Sequence, residues 1–365
     1  MADNKNQHFV PRVHLRPFTV GGEGLAINLF NLDRMKAIPN APVRNQCSGD
    51  YFYGQNRLLE NAINFIENPY GPVIRHLADN GAIGSAVEIV LKRFIYLQYL
   101  RTEAASFKAS EMVLALHDVP GSDLPVPTVK EAAKEAVQAA MLNYKDTMRI
   151  VDDLTLCVVR NRTGSPFVTS DDPAVLTNRL HIQRPRKARP SFGAKTAGAI
   201  FILPLTPMLC ALLYDGAVYS SGHRAHWIDA DRSADILALN SHQIMGCWAN
   251  LYFRDWDDRE LVAAQAGTSK PLRPETRQTV TQAVLEKTND WGEYYAVKKP
   301  TNIRNGEKVL VHVVSNHPVP AAWPSFLRFR PNGRAYSNNT GAGLTRSWCL
   351  EQGFVRGEGY HKVSI

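Results

Sequence analysis

Apolar residues in the first half of the chain recur at helical spacing. Residues 56–69 carry them on one face, and Pro72 fits the first turn of a second helix that follows. The longest helical pattern runs over residues 82–116. Thr128, with Glu131 three residues later, forms a capping box and predicts the start of a further, alanine-rich helix.

Short runs of β-type composition accompany these helices. Residues 25–33 alternate apolar and polar side chains, which predicts a strand with one buried face. Further runs of strand character are 154–160, 167–169, 199–204, 209–214, 218–220 and 308–314. Turns are predicted between the first two of these runs and at Asp215-Gly216, and helical patterns return over 231–252 and 274–287. We therefore expect an α+β fold in which a helical layer packs on a mainly antiparallel sheet.

The chain is long enough for one large domain or two ordinary ones. Its 365 residues are 44% hydrophobic and 21% charged, values typical of a globular protein that buries a sizeable core. We assign residues 1–260 to a main α+β domain. Residues 261–365 mix short β-like runs with Pro, Gly, Asn and Arg, and we expect them to form an additional region packed on that domain.

Cysteine usage and the start of the chain indicate a compartment. The five cysteines are far apart and include no CxxC pair, so neither a disulfide framework nor a zinc ribbon is predicted. Cys157, Cys210 and Cys247 lie in apolar runs and are expected in the core. The first residues lack the apolar stretch of a signal peptide, and no apolar run reaches the roughly 18 residues of a membrane span. We expect a cytoplasmic protein with no membrane partner; its oligomeric state is left open.

Four short motifs stand in a recognisable order along the chain. They are His8-Phe-Val-Pro11 with Leu15-Arg16 and Phe18, the run FIYLQYLR at 94–101, the run FVTSDDP at 167–173, and the run LPLTP at 203–207. Asn240 and Gln243, followed by Ala249 and Tyr252, make a looser fifth piece. The series resembles the bacterial family described as domain of unknown function 4238, over roughly residues 7–260. That resemblance implies an outline and candidate positions, because the family has no established activity.

Two pairs of polar residues within these motifs are candidates for chemistry. His8 and Arg16 lie on a short N-terminal segment that contains prolines. Held rigidly, they would act as a general base and as a cation that stabilises an oxyanion, whereas the alternative is a structural cap and ion pair. Gln98 and Arg101 lie one helical turn apart among core-type residues, so both project from one face. An arginine there either pairs with an internal carboxylate or faces a cavity that holds an anion.

Asp171 and Asp172 follow a predicted strand at a point where the chain turns. One of them is the expected partner of Arg101, and both are placed for proton transfer or metal ligation. The alternative is an ordinary turn and cap before proline. Glu60 and Glu67, two helical turns apart, would complete a carboxylate cluster with Asp171 for a divalent cation such as Mg²⁺. Such glutamates more often lie on a solvated edge, so no cofactor is assigned and Mg²⁺ stays an open alternative.

A basic segment without acidic residues occupies residues 179–195. Its prolines predict an extended loop just after the Asp171-Asp172 turn, where it would guide a phosphate backbone. Phe192 offers a ring for base stacking, and residues 326–348 interleave further arginines with aromatic residues. The alternative is a solvated loop without a partner. The predicted nucleic-acid-binding residues are Arg179, Arg184, Arg186, Lys187, Arg189 and Lys195.

Three functional hypotheses follow. The motifs of P-loop NTPases, dinucleotide-binding dehydrogenases, zinc metalloproteases and serine hydrolases are absent, and the formal net charge of +8 agrees with an anionic partner. The first hypothesis is a phosphodiesterase that cleaves RNA or DNA, a role that would suit a toxin or an antiviral defence effector. The second is a non-enzymatic protein that binds nucleic acid or another anionic partner, with a structural Arg101 network, and the third is a small-molecule hydrolase. Under the first hypothesis, the catalytic residues are His8, Arg16, Gln98, Arg101, Asp171 and Asp172.

Overall fold

The computed structural model describes most of the chain. The described residues are 6–53, 57–102, 104–105, 110, 114, 127–183, 191–290, 292–299, 302–304, 306–339 and 343–365. Within them, the α-helices are α1 (Arg12–Leu15), α2 (Arg57–Glu67), α3 (Tyr70–Ala78), α4 (Ser85–Arg101), α5 (Val129–Thr147), α6 (Arg179–Gln183), α7 (Ser233–Gly246), α8 (Arg259–Ser269) and α9 (Ser347–Glu351). None of these helices is both long enough and apolar enough to cross a membrane.

The strands are likewise numbered in the order in which they occur along the chain. The first twelve are β1 (Asn6–His8), β2 (Ala26–Asn31), β3 (Lys36–Pro42), β4 (Ser48–Asp50), β5 (Thr155–Asn161), β6 (Thr169–Ser170), β7 (Val175–Thr177), β8 (Ile200–Thr206), β9 (Leu209–Tyr214), β10 (Tyr219–Ser221), β11 (Trp227–Ala230) and β12 (Asn250–Phe253). The C-terminal strands are β13 (Gln278–Asn289), β14 (Gly292–Val297), β15 (Val309–Ser315), β16 (Leu327–Phe329), β17 (Arg334–Ser337), β18 (Leu344–Thr345) and β19 (His361–Ser364).

A five-stranded sheet with the order β11-β5-β9-β8-β7 lies at the centre of the fold. Strand β11 runs parallel to β5, and the other neighbours are antiparallel. Alternate residues of β5 face opposite sides: Leu156 and Val158 pack toward the helical layer, and Cys157 and Val159 pack on the other face. Both faces are apolar because both are covered, which explains the continuous hydrophobic runs of β8 and β9.

Helices α2 to α5 cover one face of this sheet, with Phe94 and Leu97 of α4 in the shared core. Helix α7 covers the other face through Ile236 and Leu239, together with Leu327 of the C-terminal region. This layered arrangement of helices and mainly antiparallel strands is the α+β class predicted from the sequence. All five cysteines are free and buried, which confirms the prediction made for Cys157, Cys210 and Cys247.

A second, antiparallel sheet with the order β3-β2-β12-β6 carries the N-terminal part of the chain. Beside it, β1 pairs with β4, and His8 lies opposite Ser48. Helix α1 starts only four residues after His8, and its buried face is made by His14 and Leu15. This local arrangement holds the N-terminal segment against helices α2 and α3, where the candidate site forms.

Several predicted elements are confirmed. The strand predicted over 25–33 is β2, although residues 27–30 are all buried, so that both of its faces are covered and not one. The capping box of Thr128 and Glu131 opens α5 with both of its hydrogen bonds present. The break at Pro69 separates α2 from α3, because proline removes a backbone donor and starts a new helix more readily than it continues one.

The helix predicted over 274–287 is wrong, since this segment is strand β13. Its residues Thr279, Val280 and Thr281 are β-branched, and β13 pairs with β14 on one side and β15 on the other. The apolar pattern fitted a helical period by coincidence, and strand pairing with distant residues decided the outcome.

Two predicted connections also differ from the structure. The helix expected over 231–252 ends at Gly246, and residues 250–253 form β12 instead. The strands on either side of the 161–166 turn belong to different sheets, and β10 pairs with β16 rather than with β9 across Asp215-Gly216. In each case the partner is remote in sequence, so local spacing gave no sign of it.

The C-terminal region is tied to the rest of the chain by buried polar contacts. Arg346 is 3% exposed and donates to the Asp153 carboxylate at 2.9 Å. It also donates to the carbonyl oxygens of Ala194 and Ile150. Asp235 of α7 accepts hydrogen bonds from the backbone and hydroxyl of Ser325 at 2.7 and 2.8 Å. The residues beyond 260 therefore complete the cover over the central sheet.

Two buried histidines make the fold sensitive to acid. His14 contacts the Tyr70 hydroxyl at 2.9 Å and the Thr169 hydroxyl at 3.0 Å, and burial lowers its pKa to about 3. Burial lowers the pKa of His242 to about 4. Both histidines are thus neutral in the folded protein at pH values where the unfolded chain, with an ordinary histidine pKa near 6.5, binds protons.

We expect the free energy of unfolding to be highest above pH 6.5 and to fall as the pH drops from there toward 4. Each histidine contributes a slope of up to about 1.4 kcal/mol per pH unit, because protonation favours the unfolded chain. Urea titrations at several pH values measure this slope. The His14→Gln variant should show a flatter dependence, and His361→Gln, at an exposed site, should match the wild type. An unchanged slope in His14→Gln would contradict this account.

Candidate active site

A buried polar network joins helices α2 and α4 to the N-terminal segment. Arg101, at the end of α4, is completely buried and donates through Nη1 to the Glu67 carboxylate of α2. Its Nε and Nη2 donate to the Gln98 side-chain oxygen at 3.0 and 2.8 Å. Gln98 in turn donates to the backbone carbonyl of Phe9 at 2.9 Å. The shared helical face predicted for Gln98 and Arg101 is therefore present, and it faces inward.

Charge pairing keeps the Arg101 guanidinium ionised despite its burial. Burial lowers the pKa of Arg101, but the Glu67 carboxylate and Tyr53 raise it by more, so the net change is upward. The pKa of Tyr53 rises to about 12 because burial outweighs the effect of Arg101. Tyr53 is thus a neutral hydroxyl beside a permanent ion pair.

Asp171 has a different partner from the one predicted. Its carboxylate accepts hydrogen bonds from the backbone N–H groups of Trp248, Ala249 and Asn250 at 2.6, 2.8 and 2.8 Å. Burial raises the pKa of Asp171, and these donors offset part of the rise. The carboxylate that pairs with Arg101 is Glu67, whereas Asp171 clamps the chain between α7 and β12. This clamp is the physical reason why α7 ends before β12 begins.

His8 is half-buried at the end of β1, and its imidazole lines a cleft. Nδ1 of the ring is buried and has no hydrogen-bond partner among the described residues. Burial lowers the pKa of His8 and the positive charge of Arg12 lowers it further, while the Gln46 backbone and the Glu67 carboxylate oppose the change. The ring is therefore neutral near pH 7 and able to accept a proton.

The cleft beside His8, which we call the His8 cleft, has a volume of about 380 Å³ and lies between the N-terminal segment and helices α2 and α3. Its less exposed lining includes His8, Tyr53, Glu60 and Glu67. Arg12 and Arg75 line it from exposed positions, and within the described part of the chain neither guanidinium forms an ion pair. The cleft thus combines a neutral base, the two carboxylates of Glu60 and Glu67, and two arginines that form no ion pair with the described residues.

Close packing of two helices shapes this cleft. A Cβ atom on Gly71 of α3 would lie 2.8 Å from Cγ2 of Val13 in α1, so glycine allows the two helices to approach. Arg75 follows Gly71 by one helical turn and lies on the same side of α3. The approach of α3 to α1 therefore brings Arg75 to the side of the cleft that Arg12 also lines.

The other predicted catalytic residues lie away from the His8 cleft. Arg16 is exposed, and its Nε donates to the Gly22 carbonyl at 3.3 Å, so it braces a glycine-rich turn. Asp172 accepts a hydrogen bond from the Thr102 hydroxyl at 2.7 Å and lines a separate cavity. The structure thus brings His8, Gln98 and Arg101 around Glu67 and separates Arg16, Asp171 and Asp172 from them.

Sequence reasoning missed Arg12, Tyr53 and Arg75 as lining residues. Exposed arginines on short helices have no distinctive pattern, and neither has a tyrosine within the aromatic run at 51–53. Glu67 did carry a signal, its two-turn spacing from Glu60, and both glutamates line the His8 cleft. In the described part of the chain, no group of three or more His, Cys, Asp or Glu side chains is arranged to hold a metal ion.

The ends of the predicted nucleic-acid-binding segment pack against the C-terminal region. Arg179 donates to the Leu327 carbonyl at 2.8 Å, and Lys195 donates to the Phe354 carbonyl at 2.6 Å. Phe192 is 6% exposed with its ring stacked on His317, so the predicted base-stacking surface is buried. The remaining predicted residues of the segment lie outside the described residues: Arg184, Arg186, Lys187 and Arg189.

Replacing Arg101 by lysine tests whether this network supports the fold. Lysine keeps the charge but lacks the planar set of donors that reaches Glu67 and Gln98 together. We expect Arg101→Lys to lower the free energy of unfolding by about 3 kcal/mol, as for other broken buried pairs. The matched control is Arg149→Lys, because the Arg149 side chain is 57% exposed where it pairs with Asp152, and this change should alter stability by less than about 1 kcal/mol. Equal effects in urea unfolding would contradict a special role for Arg101.

Comparison with known proteins identifies a family for this arrangement. A family model described as a protein of unknown function, DUF4238, matches residues 6–257. No curated protein and no solved structure gives a significant match. The matched segment contains the His8, Gln98, Arg101 and Asp171 motifs and most of the chain. The chain therefore belongs to the domain of unknown function 4238 family.

Proposed function

We propose that this protein is a phosphodiesterase that cleaves nucleic acid, with the His8 cleft as its catalytic site. One observation carries the proposal: a neutral, half-buried imidazole lines the same cleft as the Glu67 carboxylate and as Arg12 and Arg75, whose guanidinium groups form no ion pair with the described residues. A base, an orienting carboxylate and anion-binding cations are the groups that phosphoryl transfer requires.

His8 would accept the proton of the attacking hydroxyl, either from water or from the 2′-hydroxyl of RNA. As the new P–O bond forms, the bond to the leaving oxygen breaks, that oxygen takes up a proton from solvent water, and the His8 imidazolium afterwards returns its proton to solvent. Arg12 and Arg75 would bind the non-bridging phosphate oxygens, where negative charge increases in the transition state. Tyr53, kept protonated by its raised pKa, donates its hydroxyl to the His8 carbonyl at 3.4 Å and would therefore help to hold His8 in position.

Glu67 and Arg101 would act through His8 as positioning residues. The Glu67 carboxylate stabilises the imidazolium that forms when His8 takes a proton, which is why it raises the pKa of His8. Arg101 holds Glu67 in place from the buried side, and Gln98 holds both Arg101 and the Phe9 backbone next to His8. The expected role of Arg101 as a direct phosphate ligand is therefore replaced in this proposal by Arg12 and Arg75.

The charge of the chain favours a polyanionic substrate. There are 42 Lys and Arg residues against 34 Asp and Glu, which gives a formal net charge of +8. The sequence 184–190 adds four basic residues between anchor points at Arg179 and Lys195. Basic residues of this kind supply salt-dependent, sequence-independent affinity for a phosphate backbone.

A non-enzymatic binding protein is the second candidate. The observation that favours it is the complete hydrogen bonding of the buried Arg101 network and of Asp171, which both serve the fold. In that case the exposed arginines would bind nucleic acid without cleavage. The two candidates differ in whether the bound nucleic acid is cleaved.

A cleavage assay separates them. Total RNA, tRNA, and single- and double-stranded DNA are incubated with the full chain, with EDTA or with added Mg²⁺ or Mn²⁺. We expect cleavage of at least one polymer, a loss of about 10²-fold or more in His8→Ala, and a loss of about 10-fold in Arg12→Ala and Arg75→Ala. Arg34→Ala, at an exposed site outside the cleft, is the matched control and should cleave at the wild-type rate.

Circular dichroism confirms that each variant is folded before rates are compared. The EDTA lanes decide whether a divalent cation takes part. Wild-type cleavage that persists unchanged in His8→Ala would place the active site elsewhere. Binding of a polymer without cleavage in any lane would favour the binding protein.

A further inference from the structure

A second cavity, separate from the His8 cleft, lies between helices α4, α5 and α7 and the segment before β13. Its volume is about 460 Å³, within the range of small-molecule sites. Leu100, Val137 and Leu176 give it an apolar wall, and Arg273 and Arg277 give it a cationic one. We call it the Arg277 cavity.

The two arginines lie side by side and make no ion pair within the described residues. Arg277 donates to the carbonyl oxygens of Gly246 at 3.2 Å and Cys247 at 2.6 Å, at the C-terminal end of α7. Arg273 donates to the carbonyls of Cys247 and Trp248 at 3.0 and 3.2 Å. These bonds fix the guanidinium groups while leaving both positive charges without a bonded carboxylate.

The electrostatic surroundings of Arg277 are compatible with a bound anion. Burial lowers the pKa of Arg277, the charge of Asp172 opposes this change, and the neighbouring charge of Arg273 adds to it by a smaller amount. Asp172 and Glu275 also line the cavity, but Asp172 accepts a hydrogen bond from Thr102 and Glu275 is exposed. An anion bound between the two arginines would offset the repulsion between their positive charges.

A buried, unpartnered polar atom points to a ligand independently of the arginines. His242 is 2% exposed and lines the cavity, and its Nε2 has no hydrogen-bond partner among the described residues. Buried polar atoms in native proteins are almost always hydrogen-bonded, so this atom is left for a group that the described residues do not supply.

We propose that the Arg277 cavity binds a small amphipathic anion, namely a carboxylate or phosphate joined to an apolar body. The head group would lie on Arg273 and Arg277, the body would lie against Leu100, Val137 and Leu176, and a polar group of the ligand would reach His242. This site is independent of the proposed cleavage reaction, because it shares no lining residue with the His8 cleft.

Calorimetric titration of the full chain tests the assignment with matched probes. Octanoate and AMP carry a carboxylate and a phosphate on an apolar or partly apolar body; 1-octanol and adenosine are their neutral counterparts. We expect at least one anion to bind one-to-one, with its neutral counterpart at least about tenfold weaker. The two anions together decide whether the head group is a carboxylate or a phosphate. If neither anion binds, or if each neutral probe binds as tightly as its anion, the assignment is overturned.

Variants that leave Arg277 in place locate the site. Arg273→Gln should weaken the anion about tenfold or more, and Ala140→Trp, which fills the cavity from α5, should abolish binding. Arg34→Gln and Ala139→Trp are the matched controls at exposed positions outside the cavity and should bind like the wild type. His8→Ala should also bind the anion like the wild type. If AMP were bound in the His8 cleft and not in the Arg277 cavity, this variant would lose it. Wild-type binding in both Arg273→Gln and Ala140→Trp would overturn the proposal.

Discussion

Burial of the Arg101 guanidinium imposes the constraint on which the candidate site depends. A fully buried charge is costly unless it is paired and its donors are satisfied. Arg101 meets this requirement because it pairs with Glu67 of α2 and donates to Gln98 of its own helix. The side-chain amide of Gln98 in turn donates to the Phe9 carbonyl. Because Phe9 directly follows His8, the same bonds that satisfy Arg101 also hold the imidazole beside the Glu67 carboxylate.

The carboxylates of Asp171 and Glu67 have different roles because their surroundings differ. Asp171 is enclosed and accepts three backbone N–H bonds, so its charge stabilises the path of the chain from α7 into β12. Glu67 is 17% exposed and lines the His8 cleft, so its charge acts on His8 as well as on Arg101. In the proposed function, Arg12 and Arg75, which also line the cleft, would bind the phosphate of the substrate.

The sequence predicted the parts of this protein that local patterns control. The helical layer, the capping box at Thr128, the buried cysteines and the inward-facing pair of Gln98 and Arg101 all follow from periodicity and from the cost of burying polar groups. The partner of Arg101 did not, because an ion pair between α2 and α4 depends on how two helices cross. Strand β13 was also missed, since its pairing with β14 and β15 outweighed an apparent helical period.

Histidine NMR titration tests most directly whether the His8 cleft binds phosphate as the account claims. The His8 signal, assigned with His8→Asn, gives its pKa in the free protein and with a non-hydrolysable phosphorothioate oligonucleotide. The account predicts a pKa for His8 below the usual value in the free protein, lower still in Glu67→Gln, and raised by the bound oligonucleotide, because a nearby anion favours the imidazolium. A His8 pKa that the oligonucleotide leaves unchanged while it binds elsewhere on the protein would contradict the central claim.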